Sequence, residues 1–205
     1  MDKEKKNRVS AALNAVILVL SSYCLFCLYD KGGEGYMEGS FAQCLMHFGV
    51  WTQLLLCVSC ALIFGAANSG QKLNEFKIDL KFTAVSCSLF QLVAALFFLA
   101  PKVGKAKVFF GNNVFMNGVI PVLAVISFVF FDATGKLFLQ QTKWTVIPIV
   151  LYCAVYAVMV VMNGVWPDIY GMTQGEDLWI AGIFLSILGV YVMAVMLCFA
   201  HFKEK

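Results

Sequence analysis

Six long charge-poor runs limit most tightly what this chain can fold into. They cover about residues 9–29, 42–67, 82–100, 113–132, 145–166 and 178–202. Each is about 19–26 residues long, against the roughly 20 that an α-helix needs to cross the hydrocarbon core of a bilayer. Connectors of about nine to fourteen residues leave no room for a separate soluble domain. The chain is 61% hydrophobic and 13% charged, where a soluble domain carries about 25% charged residues. These features predict one all-α domain spanning residues 1–205, a polytopic integral membrane protein built as a six-transmembrane-helix bundle with the lipid bilayer as its partner. The net charge of +3 is spread over the ends of the runs. Nucleic-acid binding needs a concentrated basic face and is excluded on that ground.

The first run follows Lys3, Lys5, Lys6 and Arg8, as the apolar core of a signal peptide would. It is long enough to span, however, and no small-residue cleavage site follows it, so it reads as the first helix. Orientation follows from the basic residues. The N-terminal segment, the second and fourth connectors and the C-terminal tail hold eleven Lys and Arg, against four in the other three connectors. The positive-inside rule therefore places both termini in the cytoplasm.

Polar residues within the runs are few: Asn14, His47, Thr52, Gln53, Gln91, Asn117 and Asn163, with Asp132 at one end. Each is costly in hydrocarbon and raises a functional reading beside the plainer one of hydrogen bonding between helices. Asn117 and Pro121 stand out. A proline within a helix leaves the carbonyl four residues back without a donor, and here that carbonyl belongs to Asn117. Lipid offers it no partner, so another protein segment or a wet cavity must. In the expected topology His47, Asn117 and Asn163 lie within about two turns of the outer face, at 1.5 Å per residue, with Thr52 and Gln53 deeper. An outward-opening polar pocket lined by Gln53, Asn117, Asn163, Asp168 and Tyr170 is expected, rimmed by the segment from Trp166 to Tyr170.

Gly49, Thr52 and Gln53 share one helix face, while His47 and Thr52 are about 140° apart on a straight helix. The pairs Cys24/Cys27 and Cys57/Cys60 lie in apolar helices with no base nearby, and read as small core residues rather than redox dithiols. No Cys and His set has zinc-ligand spacing, and neither a metal nor a cofactor is expected.

Three stretches carry a family resemblance: Phe48-Gly-Val-Trp-Thr-Gln53, Asn117-Gly-Val-Ile-Pro121 with Ser127-Phe128, and Trp166-Pro-Asp-Ile-Tyr-Gly171. Over about residues 46–170 the chain resembles the androgen-induced/ADTRP-like superfamily of six-helix membrane proteins, whose members include hydrolases of fatty acid esters of hydroxy fatty acids and uncharacterised bacterial proteins. The resemblance implies a bacterial cytoplasmic-membrane location and a lipid ligand. It also places Gly49 where those hydrolases carry a nucleophilic threonine, and Asn117 where they carry a histidine shortly before the proline. Asparagine does not titrate, and activating a hydroxyl requires a titratable base. The leading expectation is thus a pocket for a lipid or amphipathic ligand. One alternative is an intramembrane threonine-type lipid-ester hydrolase with Thr52 as nucleophile and His47 as base. A small transporter is the other, for which inverted repeats or a charge at mid-membrane would be expected.

Overall fold

The computed structural model describes residues 3–69, 73–132, 137, 139–171 and 178–203. Lys72, Lys136 and Lys205, counted among the basic residues that set the expected orientation, lie outside those residues. The described residues form helices and connecting turns, with no strand among them. Six helices are long and apolar enough to cross a membrane, and the protein is an all-α integral membrane bundle.

They are α1 (Lys3–Lys31), α2 (Phe48–Asn68), α3 (Glu75–Val103), α4 (Phe115–Asp132), α5, which starts at Leu139, and α6 (Leu178–Lys203). α1 packs along α2, α2 packs along α3, and α3 also meets α4 and α6. The hydrophobic effect draws the helices into the bilayer but gives little drive for them to associate there; close packing and interhelical hydrogen bonds do that. α3 is the most enclosed span, 56% of its apolar stretch being buried against 22% for α6. Polar side chains on α3 are therefore the ones most hidden from lipid.

Several bounds differ from the charge-poor runs. The second run does not form one helix: a single turn (Phe41–Cys44) precedes α2, and His47 caps α2 in extended conformation. Ser40 and Gln43 explain the break, because the Gln43 Oε1 accepts from the Ser40 backbone N–H at 2.8 Å in a capping box. The third helix begins at Glu75, seven residues before its run. Asn74 caps it, its side chain accepting from the Lys77 backbone N–H at 3.0 Å, and Glu75 suits the positive end of the helix dipole.

Two of the spans widen into a π turn just before a proline. In α3 the turn is Ala95–Leu99, with the Ala100 N–H reaching back to the Ala95 carbonyl and Pro101 next. In α4 it is Phe115–Val119, with the Ile120 N–H reaching back to Phe115 and Pro121 next. A proline ring collides with the carbonyl four residues back; one wide turn moves that carbonyl aside. α5 combines a 3-10 segment (Leu139–Val146), an α-helix (Ile147–Ala157) and a π turn (Val158–Met162).

α6 meets α3 through Gly189. A Cβ there would lie 2.5 Å from Cε2 and 2.8 Å from Cδ2 of Phe90. Gly189→Ala is expected to push the ring off its site and to destabilise the bundle by about 1–3 kcal/mol, the usual cost of overpacking. Thermal unfolding in detergent reads that loss; an unchanged melting temperature would show that the α3–α6 seam yields freely.

A buried charge pair lies toward the end of the bundle that carries both termini. Lys81, fully buried, donates to Asn14 Oδ1 at 2.8 Å and to Cys60 Sγ at 2.9 Å, and its Nζ lies 3.7 Å from Asp132 Oδ2. Asp132 accepts in addition from Ser10 Oγ at 2.6 Å, Asn14 Nδ2 at 2.7 Å and Ser127 Oγ at 2.9 Å. Four spans thus meet at one ion pair. All eight cysteines, including both Cys-x-x-Cys pairs, are free thiols.

Candidate functional site

The opposite end of the bundle holds a second polar cluster. Gln91, on α3, is its hub. Its Nε2 donates to Asn117 Oδ1 at 2.8 Å and lies 3.3 Å from the Met116 carbonyl, and its Oε1 accepts from the Thr52 hydroxyl. Gln53 Nε2 donates to the same Met116 carbonyl at 3.1 Å. Asn117 Nδ2 donates to the Val108 carbonyl at 2.9 Å, and the Tyr36 hydroxyl lies 3.4 Å from its Oδ1.

The sequence points to the Asn117 carbonyl as the one left without a donor. The structure moves that vacancy one residue, and the π turn is the reason. Where Ile120 bonds five residues back to Phe115, a donor at Pro121 in the same phase would serve Met116. Pro121 has none, and two side-chain amides from α2 and α3 supply the Met116 carbonyl instead. The polar residues of three spans are thereby explained by one backbone defect.

Above this layer lies a cavity of about 720 Å³, within the roughly 300–1,000 Å³ range of ligand pockets. Its protein-facing wall includes Tyr36, Gly49, Gln91, Tyr152, Tyr156 and Tyr170. The tyrosine rings pack on one another: Tyr152–Tyr156 centroids are 5.8 Å apart and Tyr156–Tyr170 5.4 Å. Their hydroxyls fasten α5 to neighbouring turns. Tyr152 donates to the Met46 carbonyl at 2.5 Å, Tyr156 donates to Asp168 Oδ1 at 3.1 Å, and Tyr170 accepts from the Phe48 N–H at 3.3 Å. Burial pushes the Tyr170 phenol up from its ordinary value, so it stays protonated. On the outer side the wall includes Phe97, Phe98 and Leu185, exposed by 77%, 51% and 67%. These side chains sit at the lipid-facing surface between α3 and α6.

Of the residues expected to line the pocket, Tyr170 does so. Gln53 and Asn117 lie beneath it, in the layer that fixes Gln91. Asp168 is half-buried and reaches the site through Tyr156. Asn163 is exposed and does not line the cavity. The π turn Val158–Met162 precedes it and alters the phase of the helix end. Gln91 is recognisable as a polar residue in a span, yet nothing in its local sequence marks it as the hub. Tyr152 and Tyr156, four apart on one helix face, form a signal that was available.

Thr52 and His47 do not pair. The Thr52 hydroxyl lies 2.8 Å from the Gly49 carbonyl besides its bond to Gln91. His47 is 1% exposed, both ring nitrogens lack a hydrogen-bond partner, and its ring meets Tyr36 edge-on at 5.0 Å. Desolvation lowers the His47 pKa to about 4 from 6.5. Between those values the unfolded chain binds a proton that the folded one refuses, so stability is lost as pH falls from about 6.5 toward 4. His47→Phe is expected to flatten the melting-temperature profile over that window. An unchanged profile would show that other groups carry the pH dependence.

Among protein-family models, curated proteins and solved structures, none matches this chain.

Proposed function

We propose that this protein binds a membrane lipid or similar amphipath in the cavity between α3, α5 and α6. The observation that carries this reading is the shape and chemistry of that space. It is bounded inside by tyrosines and an anchored amide, and outside by apolar side chains that face the bilayer. A ligand with a polar end and an acyl chain matches both walls and can enter sideways from the membrane. With the termini placed in the cytoplasm by the positive-inside rule, the cavity opens to the outer half of a plasma membrane.

The resemblance to the ADTRP-like superfamily adds the same ligand class. Gly49 and Asn117, the positions that resemblance aligns with a catalytic threonine and histidine, both adjoin Gln91. Asn117 accepts from it, and a Cβ at residue 49 would lie 2.5 Å from its Nε2. Neither position titrates. The Thr52 hydroxyl is bonded to an amide oxygen and a carbonyl rather than to a base, which favours binding over ester hydrolysis.

Photolabelling with a diazirine-tagged acyl lipid in nanodiscs tests the reading. Label is expected to concentrate on residues 90–99 of α3 and 181–186 of α6, to be competed by untagged lipid, and to fall about tenfold when Ala94→Trp fills the cavity, a loss of about 1.4 kcal/mol in affinity. Label spread equally over Val19, Tyr23 and Phe26, exposed on α1, would mean ordinary annular contact and would overturn the reading.

A further inference from the structure

The cavity also holds one charge. Lys102, in the last turn of α3, lines it. Its Nζ sits 6.0 Å from the centroid of the Phe98 ring and donates to the Ile169 carbonyl at 3.3 Å. Among the described residues no carboxylate forms an ion pair with it; the two ion pairs are Arg8–Glu4 and Lys81–Asp132. Asp168, next in sequence to Ile169, accepts from Tyr156 instead. The ammonium therefore stands at the outer end of a largely apolar space with no carboxylate partner among the described residues.

Position adds a length. Gln91 and Lys102 are the inner and outer polar marks of the cavity on one continuous helix. At 1.5 Å per residue they lie about 16 Å apart along it, about half the roughly 30 Å hydrocarbon thickness. The space thus matches the depth of a single leaflet, with its cation at the level where a headgroup begins.

Resting on the lipid-binding reading above, we infer that the ligand is an anionic acyl lipid. Its carboxylate or phosphate pairs with Lys102, and its chain runs inward past Phe97, Phe98 and Leu185 toward Gln91. The charge of Lys102 selects the sign of the headgroup, a point-charge interaction at the edge of an apolar space. Gln91 marks the inner end; its hydrogen bonds are already made within the protein, so the chain terminus needs no polar group there. No bond is made or broken in this step.

The test compares three fluorescent probes on purified protein in nanodiscs of uncharged lipid: dansyl-undecanoate, its methyl ester, and a dansyl-labelled lysophosphatidate. Wild type is expected to bind at least one anionic probe about tenfold more tightly than the ester, as one charge-assisted hydrogen bond contributes. Lys102→Gln should erase that difference, and Lys102→Arg should retain it. Preference for the undecanoate identifies a carboxylate as the headgroup anion, and preference for the lysophosphatidate a phosphate. Equal binding of anions and ester, lost in Ala94→Trp but indifferent to Lys102→Gln, would overturn the charge selection and leave the lipid cavity standing. Failure of every probe to bind, with no sensitivity to Ala94→Trp, would sink both.

Discussion

Lys81→Met is expected to destabilise the bundle by about 3–5 kcal/mol, the usual cost of removing one partner of a buried ion pair. Asp132→Leu should cost a similar amount. In the first variant Asp132 keeps Ser10, Asn14 and Ser127 but loses its counter-charge in a site that water does not reach. In the second, Lys81 keeps Asn14 and Cys60, neither of which neutralises it. The pair also decides how the losses combine. Removing both charges abolishes the desolvation problem, so Lys81→Met with Asp132→Leu should cost clearly less than the sum of the singles, a coupling of about 1–3 kcal/mol. Unfolding of all three variants in mixed micelles of rising SDS fraction, followed by loss of helicity, gives the four corners of the cycle. Additive losses would mean that the 3.7 Å approach of Lys81 to Asp132 does not hold the helices together. The sequence marks Asp132 but not its partner, because Lys81 looks like connector. Charges usually mark the ends of spans, and the run was cut at Phe82. The cut would hold if the side chain faced water, but α3 is the central helix and turns Lys81 inward.

That example indicates what the sequence makes legible. Six spans follow from length and charge alone, since only helices or closed barrels satisfy the backbone in lipid, and α1 to α6 appear where the runs stand. Their ends were less legible, because capping by Asn74 and by the Ser40–Gln43 pair depends on local hydrogen bonds rather than hydropathy. The polar layer was legible as a problem: Asn117 with Pro121 demands partners. Its solution was not, because the partners are Gln53 and Gln91 from other helices, and the π turn moves the orphan carbonyl to Met116. The tyrosine wall is legible in part: Tyr170 is expected at the pocket and Tyr152 and Tyr156 share one helix face by their spacing, but spacing alone does not say whether that face meets protein or lipid. Asn163 looked equivalent to Asn117 on depth, yet the wide turn before it leaves its side chain outside.

The Met116 carbonyl yields the sharpest test of how the polar layer is held. Gln53→Leu is expected to cost about 1 kcal/mol, the net value of one intramolecular hydrogen bond, and Gln91→Leu about 2–3 kcal/mol, because it also gives up Thr52 and Asn117; in either single the remaining amide still serves the carbonyl. The double variant removes both donors. It should cost about 1–3 kcal/mol beyond the sum, the penalty for stranding a buried acceptor, raised further by the lack of water at this depth. Gln91→Leu also frees Thr52 and Asn117, but Thr52 retains the Gly49 carbonyl and Asn117 retains Val108, so those losses belong to the single and cancel in the cycle. Pro121→Ala then supplies a control that no packing effect would mimic. Alanine restores an N–H at the position from which, in the phase set by the Ile120–Phe115 bond, the Met116 carbonyl is reached. In that background the extra cost of the double variant should fall by at least half, as read by the same denaturation series. If the cost persists unchanged once Pro121→Ala has restored the donor, the glutamines act by filling space between α2, α3 and α4. In that case the wide turn and its proline do not explain why three helices converge on this carbonyl.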